Sequence, residues 1–232
     1  MPLNQSSATS PVSPGAISLA HGGVLFLDEA PEFAPRALEA LRQPLESGAV
    51  VLHRRGGVVT YPARFLLVLA ANPCPCGSAA RECSCLPQAR RRYQQRLSGP
   101  LLDRIDVRVH VDPVPHAALF DLAEPREASA VVAGRVAAAR AAAAQRWHGA
   151  AWSGNGEVPG AALRSRPWAL PAATLAPAES YLQRGRLSAR GFDRVLRLSW
   201  SLADLEGRTV PCATDVAEAL FFRTGQDEGR AA

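Results

Sequence analysis

Two short, uninterrupted apolar runs constrain how this chain can fold: Val24-Leu25-Phe26-Leu27, and Phe65-Leu66-Leu67-Val68-Leu69-Ala70-Ala71. Neither alternates polar with apolar residues, so neither suits a strand with one wetted face. Runs of this kind predict strands covered on both faces, as in a parallel sheet flanked by helices. Each run ends abruptly in polar residues, Asp28-Glu29 after the first and Asn72 after the second. In open α/β sheets, ligands bind beyond the carboxyl ends of the strands. The pattern therefore predicts an α/β fold that delivers two carboxylates and one amide to a common sheet edge.

An acidic pair at the end of an apolar strand suits nucleotide hydrolysis. One carboxylate holds Mg²⁺, directly or through water, because this ion keeps several waters and takes few carboxylates. The other polarises a water for in-line attack on a phosphate. The same two residues also fit a helix start, with Asp28 as the cap and Glu29 in the first turn.

Composition narrows the class. With 47% hydrophobic and 20% charged residues the chain is globular in type. No apolar run approaches the roughly 18–20 residues needed to span a bilayer. The opening MPLNQSSATSPVSPG has neither a basic start nor an apolar centre, so no secretory signal is expected. The expectation is a soluble, cytoplasmic protein without a membrane partner. All 26 basic residues are Arg and the formal charge is +5, but the arginines are scattered and mark no stripe. Without lysine, the 232 residues contain no Gly-x-x-x-x-Gly-Lys-Ser/Thr phosphate loop.

The chain divides by composition. Residues 1–15, rich in Ser and Pro, read as a disordered lead-in. Residues 16–115 carry the α/β pattern, and residues 116–232 are Ala-, Leu- and Arg-rich helical sequence. Helices are expected within 124–147 and near 178–185, 188–205 and 213–223, with an irregular connector over 148–177. In the helix 188–205, Ser188 is the expected N-cap and Phe192, Val195, Leu196 and Leu202 form the apolar face. Arg190, Arg194 and Arg197 fall together on another face, which reads as solvated.

Between the apolar runs, two β-branched stretches around Gly56-Gly57 predict a hairpin over 48–61 with His53, Arg54 and Arg55 at its tip. Such a tip either protects an exposed edge by charge or contacts phosphates without reading bases. Downstream, Arg104 precedes an alternating stretch, Val107-Arg108-Val109-His110-Val111, that reads as a strand. Arg104 at this junction could reach a phosphate on a neighbouring subunit, or pair locally with Asp103 or Asp106.

Four of the five cysteines cluster as Cys74-Pro-Cys76 and Cys83-Ser-Cys85. They form either a tetrathiolate zinc site or a set of free, redox-sensitive thiols. Disulfides do not suit a reducing compartment. Cys212, among helical apolar residues, is expected to pack.

Taken together, PGAISLAHGGVLFLDE over 14–29, LEALRQPLESG, YPARF, AANPCPCG, SGPLLDRID and LSAR with ADLEG resemble the magnesium-chelatase-like AAA+ ATPases. The likeness is strongest to the competence-associated branch, which includes a hexameric DNA branch-migration helicase, and it covers roughly residues 14–223. It implies a partial αβα AAA+ core followed by an all-α lid. On this resemblance Asp28 and Glu29 match the Walker B pair, Asn72 matches sensor 1, Arg104 the arginine finger acting in trans, and Arg190 sensor 2. ATP and Mg²⁺ are the implied cofactors, and DNA and a homo-hexameric ring the implied partners. The hairpin matches one that faces the ring pore. Alternatives are the magnesium chelatase ATPase subunit of tetrapyrrole synthesis, or a non-catalytic fragment binding zinc or nucleic acid. The sequence departs from the family by lacking the Walker A loop and the protease-like N-terminal domain, and by Ala16 where relatives have Glu. Weak or no ATPase activity is therefore expected of the 232 residues alone.

Overall fold

The computed structural model describes residues 13–54, 57–77, 83–112, 114 and 127–224, with Arg54 described by its backbone only. The lead-in expected over 1–15 lies largely outside these residues. The chain forms two compact units, Met1–Ile105 and Asp106–Ala232, while its composition changes a little later, near Pro113 and Pro115.

In the first unit, strand β1 (Val24–Leu27) pairs in parallel with β4 (Leu66–Leu69), matching Val24 to Leu66 and Leu27 to Leu69. Helix α1 (Ala16–Leu19) precedes β1, and the crossover between the two strands carries helices α2 (Pro35–Ala40) and α3 (Arg42–Ser47), then the hairpin β2 (Ala49–Arg54) and β3 (Gly57–Pro62). Pro35 opens α2, where its fixed φ suits a helix and its missing N–H costs nothing. Gly48 ends α3 at φ +68, returning its N–H to Pro44 O at 2.8 Å. A Cβ at Gly48 would also lie 2.9 Å from Arg64 Cγ, so glycine is required there twice over. Helices α4 (Pro87–Gln94) and α5 (Gly99–Leu102) complete the unit. Its core joins Leu38, Leu41 and Leu101 to Leu25, Leu27, Phe65 and Leu67 from the strands.

Among the described residues, one face of the parallel pair is covered and the other is exposed. Val24, Phe26 and Leu66 are 57–62% exposed and Val68 is 38% exposed, which corrects the expectation of strands buried on both sides. An unbroken apolar run records that both faces are apolar. It does not record which of them the chain itself covers.

The second unit is helical: α6 (Ser129–Arg146), α7 (Gly160–Leu163), α8 (Ala172–Gln183), α9 (Ala189–Leu205) and α10 (Ala213–Thr224). The Ser188 hydroxyl caps α9 by accepting the Gly191 N–H at 3.0 Å, as the sequence suggested. From α9, Phe192, Val195, Leu196 and Trp200 pack against Val216 and Leu220 of α10. Trp147 lies 4.6 Å from Trp168 and 5.7 Å from Trp152, centroid to centroid, and Trp168 lies 5.9 Å from Trp200. The Arg146 guanidinium sits 4.5 Å above the Trp200 ring and forks onto the buried Asp204 carboxylate. Asn155 completes this polar knot: its Oδ1 accepts from Trp147 Nε1 at 2.9 Å, and its Nδ2 donates to Asp204 Oδ2 at 2.8 Å. A cleft of about 600 Å³, lined in part by Val136, Ala143, Asn155 and Asp204, runs beside α6.

Four expectations are corrected in this unit. Helix α8 begins at Ala172 and runs through Pro177, because burying Ala178 and packing Leu175 against the helical core offsets one lost hydrogen bond. Residues 107–111 form no strand. Their Arg108 N–H donates to Phe222 O at 2.9 Å, and Val109 and Val111 are exposed. The basic face of α9 is not solvated throughout. Arg194 pairs with Asp106 at 2.5 Å, and Arg197 Nε donates to Val158 O at 2.7 Å, with burial pulling the Arg197 pKa down. Cys212 is exposed just ahead of α10, where its N–H donates to Asp215 Oδ2 at 2.8 Å, and it does not pack.

No helix among the described residues is long and apolar enough to cross a membrane. Because Arg146 and Asp204 are buried as a pair, removing one strands the other. Asp204→Ala is expected to lower the stability of the helical unit by about 3–5 kcal/mol, measured by urea unfolding followed by circular dichroism. A loss below about 1 kcal/mol would show that the pair is solvated.

Candidate functional site

The strand register decides where the polar residues of the first unit emerge. Beyond the Leu27–Leu69 match, the Ala70 N–H donates to Leu27 O at 3.0 Å and the Ala30 N–H donates to Ala70 O at 2.9 Å. Asp28 and Glu29 therefore form a short turn clasped on both sides to the backbone that leads into Asn72. All three side chains are exposed at this edge.

Asp28 does not cap a helix. Its Oδ1 accepts the Glu29 N–H at 2.9 Å, and the 3₁₀ turn Ala30–Glu32 starts from Glu29 without a side-chain cap. Glu29 has φ +49 and ψ +43, and is the one non-glycine residue with positive φ among the described residues. A left-handed conformation costs a side-chain-bearing residue about 1–2 kcal/mol, and strain of this kind gathers where chemistry is done. The turn throws the Glu29 carboxylate outward beside Asp28.

Helix α4 underpins both strand ends. Gln94 Nε2 donates to Pro73 O at 3.2 Å, next to Asn72. Arg96 Nη1 donates to Pro31 O at 3.0 Å and to Glu32 Oε2 at 2.9 Å, just past Glu29. Between them Tyr93, 5% exposed, makes a backbone hydrogen bond with Asn72. Burial pushes the Tyr93 pKa up, helped by the charges of Glu32 and Glu29 and opposed by that hydrogen bond. Sequence reasoning missed Tyr93. Its signal was to be the one aromatic residue in the otherwise polar stretch PQARRRYQ.

Arg104 follows α5, whose N-cap Ser98 accepts the Leu101 N–H at 3.3 Å and donates to Glu39 Oε1 at 2.5 Å. Those hydrogen bonds from Ser98 and Arg42 hold the Glu39 carboxyl below its usual range. The Arg104 side chain is 11% exposed, ion-paired with Glu46 and donating to Pro100 O at 2.6 Å. One of its partners, Glu46, thus comes from α3, far away in the sequence. Arg190 lies in the second unit, exposed in the first turn of α9. In the hairpin, Arg54 is matched with Gly57 and the exposed His53 with Val58. Arg55 and the Arg54 side chain lie outside the described residues.

The four loop cysteines converge directly after Asn72. Cys74 Sγ lies 3.1 Å from Cys76 Sγ and 3.3 Å from Cys83 Sγ, and Cys76 lies 3.7 Å from Cys83. With Cys85, all four sulfurs lie within 4.8 Å of one another, an arrangement that can hold a metal ion. The hydrogen bond with Cys76, together with burial, pushes the Cys74 thiol up to about 12, and the same neighbour raises Cys85.

The family model of the magnesium chelatase subunit ChlI matches residues 6–119, and that of the ChlI C-terminal region matches residues 126–223. The chain belongs to the magnesium-chelatase family. It is 54% identical over 211 residues to an uncharacterized protein of Mycobacterium tuberculosis, covering 90% of this chain and 41% of that protein. To the competence protein ComM of Haemophilus influenzae it is 38% identical over 225 residues, covering 96% of this chain and 43% of ComM. To the magnesium-chelatase 38 kDa subunit of Rhodobacter capsulatus it is 30% identical over 113 residues, 49% of this chain and 29% of that subunit. The chain spans about two-fifths of the length of the two relatives that it matches over nearly all its residues.

The left-handed turn makes a testable demand on position 29. Glu29→Gly is expected to be at least as stable as the natural chain, while the β-branched Glu29→Val falls about 1–2 kcal/mol below it. Chemical denaturation of the three chains measures this, and equal stabilities would remove the strained turn.

Proposed function

We propose that this chain supplies the Walker B, sensor and lid parts of an AAA+ ATPase of the magnesium-chelatase family, and that the intact machine couples ATP hydrolysis to DNA remodelling in natural transformation. The observation that carries the reading is the parallel register that sets Asp28 and Glu29 beside the strand leading to Asn72. The exposed carboxylates are hard oxygen donors of the kind Mg²⁺ takes. Asp28 would hold the Mg²⁺ that accompanies ATP, whose charge would offset that of the phosphates. Glu29 orients and polarises the attacking water, and Asn72 fixes that water from the neighbouring strand. Arg104 serves the nucleotide of an adjacent subunit in a ring of six, after leaving Glu46, and Arg190 acts from the lid.

DNA is favoured over metal chelation by coverage. The likeness to ComM runs along 96% of the chain, against 49% for the chelatase subunit. The hairpin tip of His53, Arg54 and Arg55 suits phosphate contact that ignores base sequence and weakens with salt. With no phosphate-cradling loop or lysine among them, the 232 residues alone bind nucleotide weakly.

The test is a chimera in which this chain replaces the matching segment of the Haemophilus influenzae ComM. The chimera is expected to hydrolyse ATP faster when DNA is added. Glu29→Gln should lower kcat by about 100-fold or more while nucleotide still binds. Arg54→Ala with Arg55→Ala should weaken DNA binding and flatten its salt dependence. Undiminished turnover in the Glu29→Gln chimera would refute the assignment, and an unchanged salt slope would remove the hairpin from it.

A further inference from the structure

We propose that Cys74, Cys76, Cys83 and Cys85 bind one Zn²⁺ as a tetrathiolate, and that this ion is the brace that keeps Asn72 in place beside Glu29. Zinc–sulfur bonds of about 2.3 Å in a tetrahedron put the sulfurs about 3.8 Å apart. The resolved separations of 3.1, 3.3 and 3.7 Å, with all four atoms inside 4.8 Å, leave one ion-sized centre among them. They are too long for disulfides, whose sulfurs lie about 2.05 Å apart, and none of the four is in a disulfide. Four soft donors at tetrahedral spacing select zinc over the hard cations of the hydrolytic edge.

Binding is balanced by proton release: four thiols give up four protons as one Zn²⁺ enters, leaving a centre of net charge −2. That charge is well placed. Cys85 lies two residues ahead of Pro87, at the positively polarised start of α4, and Arg90, Arg91 and Arg92 follow in the same helix. The buried Cys74 anchors the cluster to the fold, while Cys76 faces outward.

The bracing role follows from what the loop joins. Its first arm leaves Asn72 through Pro73, and its second enters α4, which returns Tyr93 to the Asn72 backbone and Gln94 to Pro73 O. Arg96, one turn on, holds Pro31 and Glu32. A metal joining the two cysteine pairs closes this circuit. Without it, the two cysteine pairs are joined by thiol hydrogen bonds, which are weak. The bracing role deepens the proposed function, because it gives Asn72 and Glu29 a fixed separation, but metal binding itself does not depend on that reading.

The experiment uses the 232-residue chain, dialysed against metal-free buffer. Elemental analysis is expected to find about one zinc per chain. Cobalt added to the chelator-treated chain should give the intense visible bands of a tetrahedral thiolate site, saturating at one equivalent. Hydrogen exchange should then quicken at least 10-fold at the Asn72 and Tyr93 amides when zinc is removed, with α9 unaffected. Absence of both retained zinc and cobalt bands overturns the site. Bound metal with unchanged exchange at Asn72 and Tyr93 overturns the brace. Cys74→Ser should lose zinc, and because that variant can misfold, the cobalt titration of the natural chain decides. None of these readouts requires ATP, so an inactive ComM chimera would leave them standing.

Discussion

Four residues of parallel pairing, Val24–Leu27 against Leu66–Leu69, hold the candidate site together. The two strands are separated by a crossover carrying two helices and a hairpin, so nothing local brings their ends into step. Their alignment is fixed by Leu25, Leu27, Phe65 and Leu67 reaching the same core as Leu38, Leu41 and Leu101. A slip of one residue would turn those side chains to the opposite face. It would also separate the acidic turn from Asn72. Burial of the inner face and assembly of the site are thus one constraint.

The backbone at the strand ends is not free to relax. Glu29 is held in a left-handed turn by hydrogen bonds from Ala30 and Ala70 to the opposite strand. Helix α4 supports the same edge from below through Tyr93, Gln94 and Arg96. The second unit shows another use of polarity. Its Arg146, Asp204, Asn155 and Trp147 satisfy one another within an aromatic core, where an unpartnered polar group would be costly. Such a network favours one arrangement of α6 against α9 over its alternatives.

Much of this was legible in the sequence, for reasons that differ by residue. The polar stops at Asp28 and Asn72 marked the strand ends, since an apolar run changes character where the sheet meets water. Ser188 announced its helix by capping chemistry, and the two β-branched stretches around Gly57 announced the hairpin. Other features depended on distant partners. Arg104 meets Glu46, 58 residues earlier in the chain, and no local pattern encodes that. Tyr93 was hidden among charged residues because a single aromatic has no periodicity. The alternation over 107–111 read as a strand, but a strand also needs a neighbour to pair with. Pro177 read as a helix boundary, yet tertiary packing carried the helix through it.

The positions of the tryptophans have a practical consequence. All four lie in the second unit, at 147, 152, 168 and 200, while the sheet unit has Tyr61 and Tyr93 as its ring chromophores above phenylalanine. Indole emission from this protein therefore reads the helical unit alone. An experimenter following it would see an intact signal while the sheet edge bearing Asp28, Glu29 and Asn72 had already come apart.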